Sequence, residues 1–319
     1  MLKRTQRSLL ARIAVLGAQT VCVAAFVSAC ADPGIPGVTL SRQAHGLTKP
    51  VSLKIVTFNI QDIYIVSTDR AERMYAIAEK LSTLDPDIVG FQESFVKKDR
   101  RILTEKLKNN SRLQHHQYYP SRVGGSGLLI SSAFPITEKA FVRFKDSNPF
   151  YKITEGDWWA GKGVALARIE LPDGNGLVDF YNTHAQADYG SSTYRIVRKN
   201  QMSQLAGFVN ESRGGATPAL LVGDMNCRIG ADDFETAVRG ANLRRAMNID
   251  SSIDHIFTVK DSRYTFEILD TIEIAEYISI KKRLIPMSDH YGYMSTILIT
   301  PVIRHRPSEA NGAKPKTAS

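Results

Sequence analysis

The chain has 319 residues, of which 43% are hydrophobic and 23% are charged, so it is neither a disordered protein nor a small disulfide scaffold. Its formal charge of +9 at first suggests a phosphate-rich partner, but residues 1–30 contribute +4 and residues 301–319 contribute +3. The rest of the chain therefore carries only +2, which removes the general argument for a nucleic-acid-binding protein.

Residues 1–30 have the pattern of an export signal. A basic start precedes an apolar stretch over 13–27, which is shorter than the ~20 residues that a membrane span requires. The V-S-A-C sequence at 27–30 is similar to the bacterial lipobox, whose cysteine is lipidated, whereas A-C-A at 29–31 also fits ordinary cleavage. We therefore expect an exported protein, either a lipoprotein anchored in the bacterial envelope through Cys30 or a secreted protein.

The composition then divides the chain into a linker, one folded domain and a tail. Proline and glycine predict a linker over 31–50, and the segment 301–319 is a predicted flexible basic tail. Residues 51–300 are long enough for one domain with a full core. Cys227 is the only cysteine in this domain, so we expect it to be a small buried hydrophobic residue rather than part of a disulfide.

Strand-like and helix-like patterns alternate along the domain, which predicts an α/β fold with packed sheets. The predicted strands are Val51–Ile60, Asp87–Gln92, Gly127–Ser131, Val164–Ile169, Leu177–Asn182, Ala219–Val222, Ile253–Thr258 and Tyr293–Leu298. The predicted helices are Thr68–Leu84, Asp99–Asn110 and Thr193–Glu211, with Thr68 or Asp69 as the cap of the first.

Polar side chains stand where six of the strand-like runs end. They are Asn59, Glu93, His184, Asp224 with Asn226, Asp254, and Asp289 with His290. Any one of them is ordinarily a turn residue or a helix cap, but strand ends that gather at one edge of a sheet are where α/β proteins build their sites. The set as a whole therefore predicts a functional site.

The chemistry of this set is that of phosphoester hydrolysis. Its carboxylate and amide oxygens suit Mg²⁺, or alternatively Mn²⁺, and the set lacks the thiolate or histidine cluster typical of zinc. Two histidines beside such a metal can transfer protons near neutral pH, and positioning with charge neutralisation supplies most of the rate in phosphoryl transfer. The sequence contains no nucleophile elbow with a Ser-His-Asp order, no Walker loop and no CxxC pair.

These motifs, in this order, resemble the endonuclease/exonuclease/phosphatase family of DNase I-like phosphoesterases. The matching segments are TFNI at 57–60, FQES at 91–94, GSGLLISSAFPI at 125–136, NTHAQ at 182–186, GDMN at 223–226, IDHIF at 253–257 and SDH at 288–290. The resemblance implies a four-layer α/β sandwich in which two central, mostly antiparallel sheets are flanked by helices. It places the site at the edge that the two sheets share.

The resemblance also implies metal ligands. Glu93 would be the main Mg²⁺ ligand with Asn59 beside it, and Asp289 would bind the metal or shape the site.

The remaining roles are implied in the same way. Asp224 would align or deprotonate the attacking water, and Asn226 would hold a phosphate oxygen. His184 and His290 would bracket the phosphate, and Asp254 would orient one of the two histidines. The sequence leaves open which one.

Within the family, the motifs are most similar to bacterial neutral sphingomyelinases, which are phospholipase C-type enzymes. Lys162-Gly163 matches the opening of a strand in that group, whereas His255 and Gly292 depart from its usual tyrosine and proline. Gln61 is uncharged where DNase I-type nucleases tend to carry an arginine that contacts nucleic acid. The resemblance therefore implies an exported, Mg²⁺-dependent phosphodiesterase that acts on a phospholipid at a membrane surface.

Three alternatives remain: a secreted DNase I-like endonuclease, another phosphoesterase of the family, and a binding protein on an inactive scaffold. Lys162, Trp158 and Trp159 are expected to contact substrate, although the two tryptophans could equally be core or wall residues. We expect the protein to be a monomer.

Overall fold

The computed structural model describes residues 40, 44–64, 67–121, 125–146, 161–213, 215–280 and 282–302. The strands are β1 (Val51–Asp62), β2 (Ile88–Ser94), β3 (His115–Tyr118), β4 (Leu129–Ser132), β5 (Ile136–Arg143), β6 (Gly163–Leu171), β7 (Gly176–His184), β8 (Ala219–Asp224), β9 (Leu243–Arg245), β10 (Asp254–Val259), β11 (Tyr264–Ile274), β12 (Tyr277–Ile280), β13 (Arg283–Pro286) and β14 (Gly292–Pro301). The helices are α1 (Arg70–Leu84), α2 (Lys97–Asn110), α3 (Ser192–Ser212) and α4 (Asp232–Gly240).

All eight predicted strands and all three predicted helices are present, with ends shifted by a few residues. Asp69 is the N-cap residue of α1, one of the two predicted caps, but its side chain accepts no capping hydrogen bond and its backbone is left-handed, with a φ of 48°. Six strands (β3, β5, β9, β11, β12 and β13) and the helix α4 were not predicted. In β11 the reason is that buried and exposed positions do not alternate regularly along its 11 residues. No described helix combines the length and hydrophobicity that a membrane span needs.

The fourteen strands form two six-stranded sheets and a separate hairpin of β12 and β13. The first sheet has the order β11-β14-β1-β2-β4-β3, and the second has the order β5-β6-β7-β8-β10-β9. Each sheet contains one parallel pair, β1 with β2 and β7 with β8, while the other neighbours are antiparallel. The expected pair of mostly antiparallel sheets is therefore confirmed.

Alternating side chains sort these elements into four layers. Along β1, Ile55 points into the core between the two sheets, and its neighbour Val56 points to the outer face under α1 and α2. The inter-sheet core also takes Val222 of β8, whereas Leu221 faces the opposite side under α3 and α4. Because β1 and β8 are buried on both faces, their sequences are almost continuously hydrophobic.

The parallel pairs determine where the polar strand ends meet. The helices α1 and α3 connect β1 to β2 and β7 to β8, so both members of each pair end at the same edge of their sheet. The antiparallel neighbours β10 and β14 begin at that edge, as the pairing of Asp254 with Asp224 and of Tyr293 with Thr57 demonstrates. Residues at the ends of β1, β2, β7 and β8 therefore come together with residues at the starts of β10 and β14.

A buried polar link joins the two sheets close to this edge. Asn182 of β7 donates to the carbonyl oxygens of Phe91 and Leu129 in the facing sheet, at 2.9 and 3.2 Å. Its own side-chain oxygen accepts from Gln92 at 2.7 Å. Because these groups are fully buried, losing a partner would leave an unsatisfied polar atom, and the link fixes how the sheets face each other.

Gly90 faces side chains of the other sheet at short range, and we expect Gly90→Ala to destabilise the fold. A Cβ there would clash with the side chain of Val222 and lie 3.1 Å from Cγ of Asn182. We expect a loss of about 1–3 kcal/mol in the free energy of unfolding, measured by urea denaturation. The matched control is Gly207→Ala in α3, where a Cβ meets no atom within 4 Å and stability should rise by up to ~1 kcal/mol. Equal stability of the two variants would contradict the prediction.

Candidate active site

The structure brings together nine of the sequence-predicted site residues at the shared edge of the two sheets. They are Asn59, Glu93, Lys162, His184, Asp224, Asn226, Asp254, Asp289 and His290. The other three, Cys30, Trp158 and Trp159, lie outside the described residues. The expected contacts of the two tryptophans with substrate therefore stay predictions.

Asp224 is the centre of the site. It is almost fully buried, and its Oδ2 accepts from Asn59 Nδ2 at 3.0 Å. The same oxygen lies 3.5 Å from Nε2 of His184 and 3.8 Å from Nε2 of His290. The other oxygen accepts from the backbone N–H of Asn226 at 3.0 Å. One carboxylate thus faces two imidazoles and is held in place by donors from both sheets.

Glu93 lies beside this centre at the end of β2. Its Oε1 is 3.8 Å from Nε2 of His184, and its backbone is left-handed with a φ of 58°. Burial raises the pKa of Glu93 to about 7, although the charge of Lys162 and a hydrogen bond from Asn59 act in the opposite direction. The charges of Asp224 and other acids nearby raise it further, so a cation at this place would stabilise the ionised carboxylate.

Asp289 approaches the same region from the segment before β14. Its Oδ2 accepts from Nε2 of Gln61 at 2.8 Å, and Ser288 Oγ donates to the backbone oxygen of Asn59 at 2.7 Å. The uncharged side chain of Gln61 therefore binds the carboxylate of Asp289, which the resemblance implies as a metal ligand.

The donor set fits a hard divalent cation. Glu93 and Asp289 offer carboxylate oxygens, and Asn59 offers an amide oxygen that also accepts from the backbone N–H of Gln61 at 3.1 Å. Burial and then the neighbouring acids raise the pKa of Glu93, so a cation there would stabilise its ionised form. Ligand-type atoms of Asp224, Asp254 and His290 also lie within 4.8 Å of one another. That second group suits a metal less well, because both imidazole contacts of His290 are with carboxylates that favour its protonated form.

The histidine that Asp254 orients is His290, a point that the sequence left open. Asp254 Oδ2 lies 2.8 Å from Nδ1 of His290, and the aspartate is almost fully buried. Burial opposes the charged imidazole, but the hydrogen bond and charge of Asp254, with those of Asp224 and Asp289, raise the pKa of His290 to about 10. These contacts favour the imidazolium form of His290, whose Nε2 lies 3.8 Å from Oδ2 of Asp224 at the centre of the site.

His184 has the opposite protonation state. Nζ of Lys162 donates to its Nε2 at 3.1 Å and to the backbone oxygen of Ala185 at 2.6 Å. Burial, and then the charge of Lys162, lower the pKa of His184 well below 6.5. Since an ammonium group only donates, Nε2 is the acceptor and the ring proton resides on Nδ1, which has no hydrogen-bond partner among the described residues.

Asn226 lies at the rim of the site, whereas His255 lies in the core. Asn226 has a left-handed backbone with a φ of 52°, and its Nδ2 donates to the oxygen of Ala185 at 3.2 Å, which places its amide at the rim of the site. His255 is buried against Phe234, and its Nε2 lies 2.9 Å from the backbone oxygen of Cys227. His255 is therefore a core residue, and Cys227 is buried as expected.

Sequence reasoning missed one residue behind the site. Arg73 of α1 is 3% exposed and donates to the backbone oxygens of Ile60, Gln61 and Met287. A signal for it exists, because Arg73 occupies the same helical stripe as the buried Ile77. A cation on the apolar face of an amphipathic helix indicates a specific buried partner.

Comparison with known proteins places the chain among phosphoesterases. The model of the "Endonuclease/Exonuclease/phosphatase family" matches residues 56–290. A "Putative neutral sphingomyelinase" of Drosophila melanogaster is 35% identical over 180 residues, which cover 56% of this chain and 40% of that protein. An "Inositol phosphosphingolipids phospholipase C" of Schizosaccharomyces pombe is 31% identical and covers 56% of this chain and 42% of that protein. The match thus covers less than half the length of these relatives.

A solved structure supports the fold. Beta toxin of Staphylococcus aureus, in a crystal structure of a double mutant "with bound magnesium ions", superimposes with a TM-score of 0.60 at 20% sequence identity. The superposition covers 77% of this chain and 99% of the toxin. This likeness confirms the predicted DNase I-like α/β sandwich.

We expect Asp254→Asn to lower the pKa of His290 from about 10 toward the ordinary value near 6.5, because the variant loses the carboxylate that stabilises the imidazolium. The stabilisation that the ion pair gives the folded state is fully present below pH 6.5 and is lost as the pH rises through 10. The variant should lack this alkaline loss. NMR titration of the imidazole Cε1 proton measures the pKa directly.

Asp250→Asn is the control for that titration, because Asp250 pairs with Arg245 on the surface with its side chain 87% exposed. A pKa for His290 that stays above 9 in Asp254→Asn would contradict the assignment.

Proposed function

The chain belongs to the endonuclease/exonuclease/phosphatase family, and on that premise we propose that it is a Mg²⁺-dependent phosphodiesterase that hydrolyses the head-group ester of a sphingolipid. The observation that carries the proposal is that Nε2 of His184 and Nε2 of His290 lie 3.5 and 3.8 Å from the same carboxylate oxygen of Asp224. Their surroundings shift the two pKa values in opposite directions. In this proposal residues 51–300 are the catalytic domain.

The residues that would hold Mg²⁺ are Glu93, with Asn59 and Asp289 beside it. When bound, the ion would act as a Lewis acid that neutralises charge on the phosphoryl oxygens. Gln61 would keep the Asp289 carboxylate turned toward the site through its 2.8 Å hydrogen bond. This arrangement resembles ordinary Mg²⁺ sites, in which few protein carboxylates bind the ion and substrate oxygens complete the sphere.

The protein groups supply the proton transfers of hydrolysis. A water molecule near Asp224 would attack phosphorus and give its proton to that carboxylate, while the bond from phosphorus to the ceramide oxygen breaks. His290, protonated and oriented by Asp254, would donate its Nε2 proton to the departing alkoxide. The products would be a phosphorylated head group and a ceramide-type alcohol.

The neutral histidine and its lysine would bind the phosphate. His184 cannot act as a strong acid, since Lys162 occupies its Nε2 as a donor and suppresses its protonation. Lys162 would instead add a fixed positive charge beside the phosphoryl oxygens as charge develops there. Asn226, at the rim, would donate to one of those oxygens.

Two observations favour a lipid over a nucleic acid. The two relatives described above are named as a sphingomyelinase and as a phospholipase C of inositol phosphosphingolipids. Tyr277 and Leu284, in the hairpin that directly precedes the Ser288–His290 segment, are 62% and 70% exposed, and Tyr291 after it is 52% exposed. Apolar and aromatic side chains beside a site suit a membrane surface.

We expect metal-dependent hydrolysis of a sphingolipid, measured as head-group release from sphingomyelin vesicles with Mg²⁺ and with EDTA. Phosphatidylcholine, inositol phosphates and supercoiled plasmid complete the substrate panel. Glu93→Gln should lose ~10²-fold or more in kcat/KM, because the metal site loses a charge, whereas Glu79→Gln on the exposed face of α1 should match the wild type. Plasmid nicking without lipid hydrolysis would instead establish the nuclease alternative.

We also propose that the protein is exported and lipid-anchored through Cys30, on the basis of the basic start, apolar stretch and V-S-A-C sequence. Labelled palmitate should be incorporated when the full chain is expressed in a bacterial host, and Cys30→Ser should abolish the label. Cys227→Ser, which changes the buried cysteine, should keep it. Export without label in the wild type would favour cleavage that releases a soluble protein.

A further inference from the structure

Arg73 joins the two chain segments that carry the proposed metal ligands Asn59 and Asp289. Its guanidinium donates through Nη1 to the oxygen of Gln61 at 3.1 Å and through Nη2 to the oxygen of Ile60. Its Nε donates to the oxygen of Met287 at 2.7 Å. The first two carbonyls adjoin Asn59, and the third lies two residues before Asp289. One side chain therefore spans segments that are more than 220 residues apart in sequence.

The partners of Arg73 are unusual for a buried arginine, because its hydrogen bonds go to neutral carbonyl groups rather than to a carboxylate. Burial of the charge opposes folding, and the pKa of Arg73 is lowered by this burial. The charges of Asp289, Asp62 and Glu93 act in the opposite direction. The guanidinium thus lies directly behind the acidic half of the site.

The backbone that Arg73 contacts has an unfavourable conformation at Gln61. Gln61 has a left-handed φ of 47°, and the pairing of β1 with β2 shifts register between Asn59 and Asp62. Ser67 Oγ also donates to the oxygen of Gln61. A non-glycine residue in this region persists only where surrounding contacts fix it, and Arg73 supplies such a contact.

We propose that Arg73 is a positioning residue that sets the spacing between Asn59 and Asp289, and thereby the affinity of the site for its divalent cation. This inference rests on the proposed function. Arg73 acts through backbone carbonyls, and its three hydrogen bonds contact neither a proposed ligand side chain nor the catalytic histidines. Only a planar fork of donors can reach three carbonyls on two segments at once, so lysine cannot replace it.

The experiment is direct Mn²⁺ binding to the full chain, followed by electron paramagnetic resonance without substrate. Arg73→Lys should weaken Mn²⁺ binding by ~10-fold, the effect typical of groups that orient metal ligands. Arg73→Met should weaken it further. The Mg²⁺ concentration for half-maximal lipid hydrolysis should rise in parallel, while kcat at saturating Mg²⁺ returns to the wild-type value.

Arg168→Lys is the matched control. Arg168 is also fully buried, but it pairs with Asp179 five residues along β6 from Gly163, away from the site. It should lower the melting temperature without changing Mn²⁺ affinity. If Arg73→Met does not fold, Arg73→Lys carries the test.

Two outcomes would overturn the inference. A lower melting temperature with unchanged Mn²⁺ affinity in Arg73→Lys would make Arg73 merely structural. If Glu93→Gln binds Mn²⁺ as tightly as the wild type, the metal site is not at Glu93, and the proposed function is refuted as well. Loss of binding in Glu93→Gln together with unchanged binding in Arg73→Lys refutes the positioning role alone.

Discussion

The face-to-face packing of the two sheets is the constraint on which the site depends. Each sheet contributes one parallel pair, and the four ends of these pairs lie at one edge. The absence of a side chain at Gly90 lets Val222 of the facing sheet approach, and Asn182 adds a polar link at the same depth. Because Asn59 and Asp224 come from different sheets yet hydrogen bond at 3.0 Å, any change in this packing moves half of the site.

The second consequence of this packing is electrostatic. Two histidines face one carboxylate, but their surroundings shift their pKa values in opposite directions. Asp254 stabilises the imidazolium of the half-buried His290, whereas burial and then the charge of Lys162 disfavour that of His184. The proposed acid and the proposed neutral phosphate-binding group are thereby obtained from the same residue type, a division of roles that suits phosphodiester hydrolysis.

Family membership and this geometry agree on the reaction class, whereas the substrate depends on the surface around the site. The same fold serves many phosphoesters, so the lipid proposal rests on relatives' names and on exposed side chains such as Leu284. Tyr291, which is 52% exposed, directly follows His290, so the proposed membrane surface would lie one residue from the proposed acid. Contact with a bilayer would therefore coincide with entry of the phosphodiester into the site.

The sequence by itself determined eight of the fourteen described strands, the three longer helices and the eight polar residues at the strand ends, because hydrophobic runs that end in polar residues are local features. It could not decide which histidine Asp254 orients, since that depends on the register of β10 beside β8. The helical stripe of α1 indicates that Arg73 is buried, but the sequence does not identify its three partners, because they are backbone oxygens. Contacts between residues far apart in the chain arise only when both sheets have packed, and the tertiary structure alone decides them.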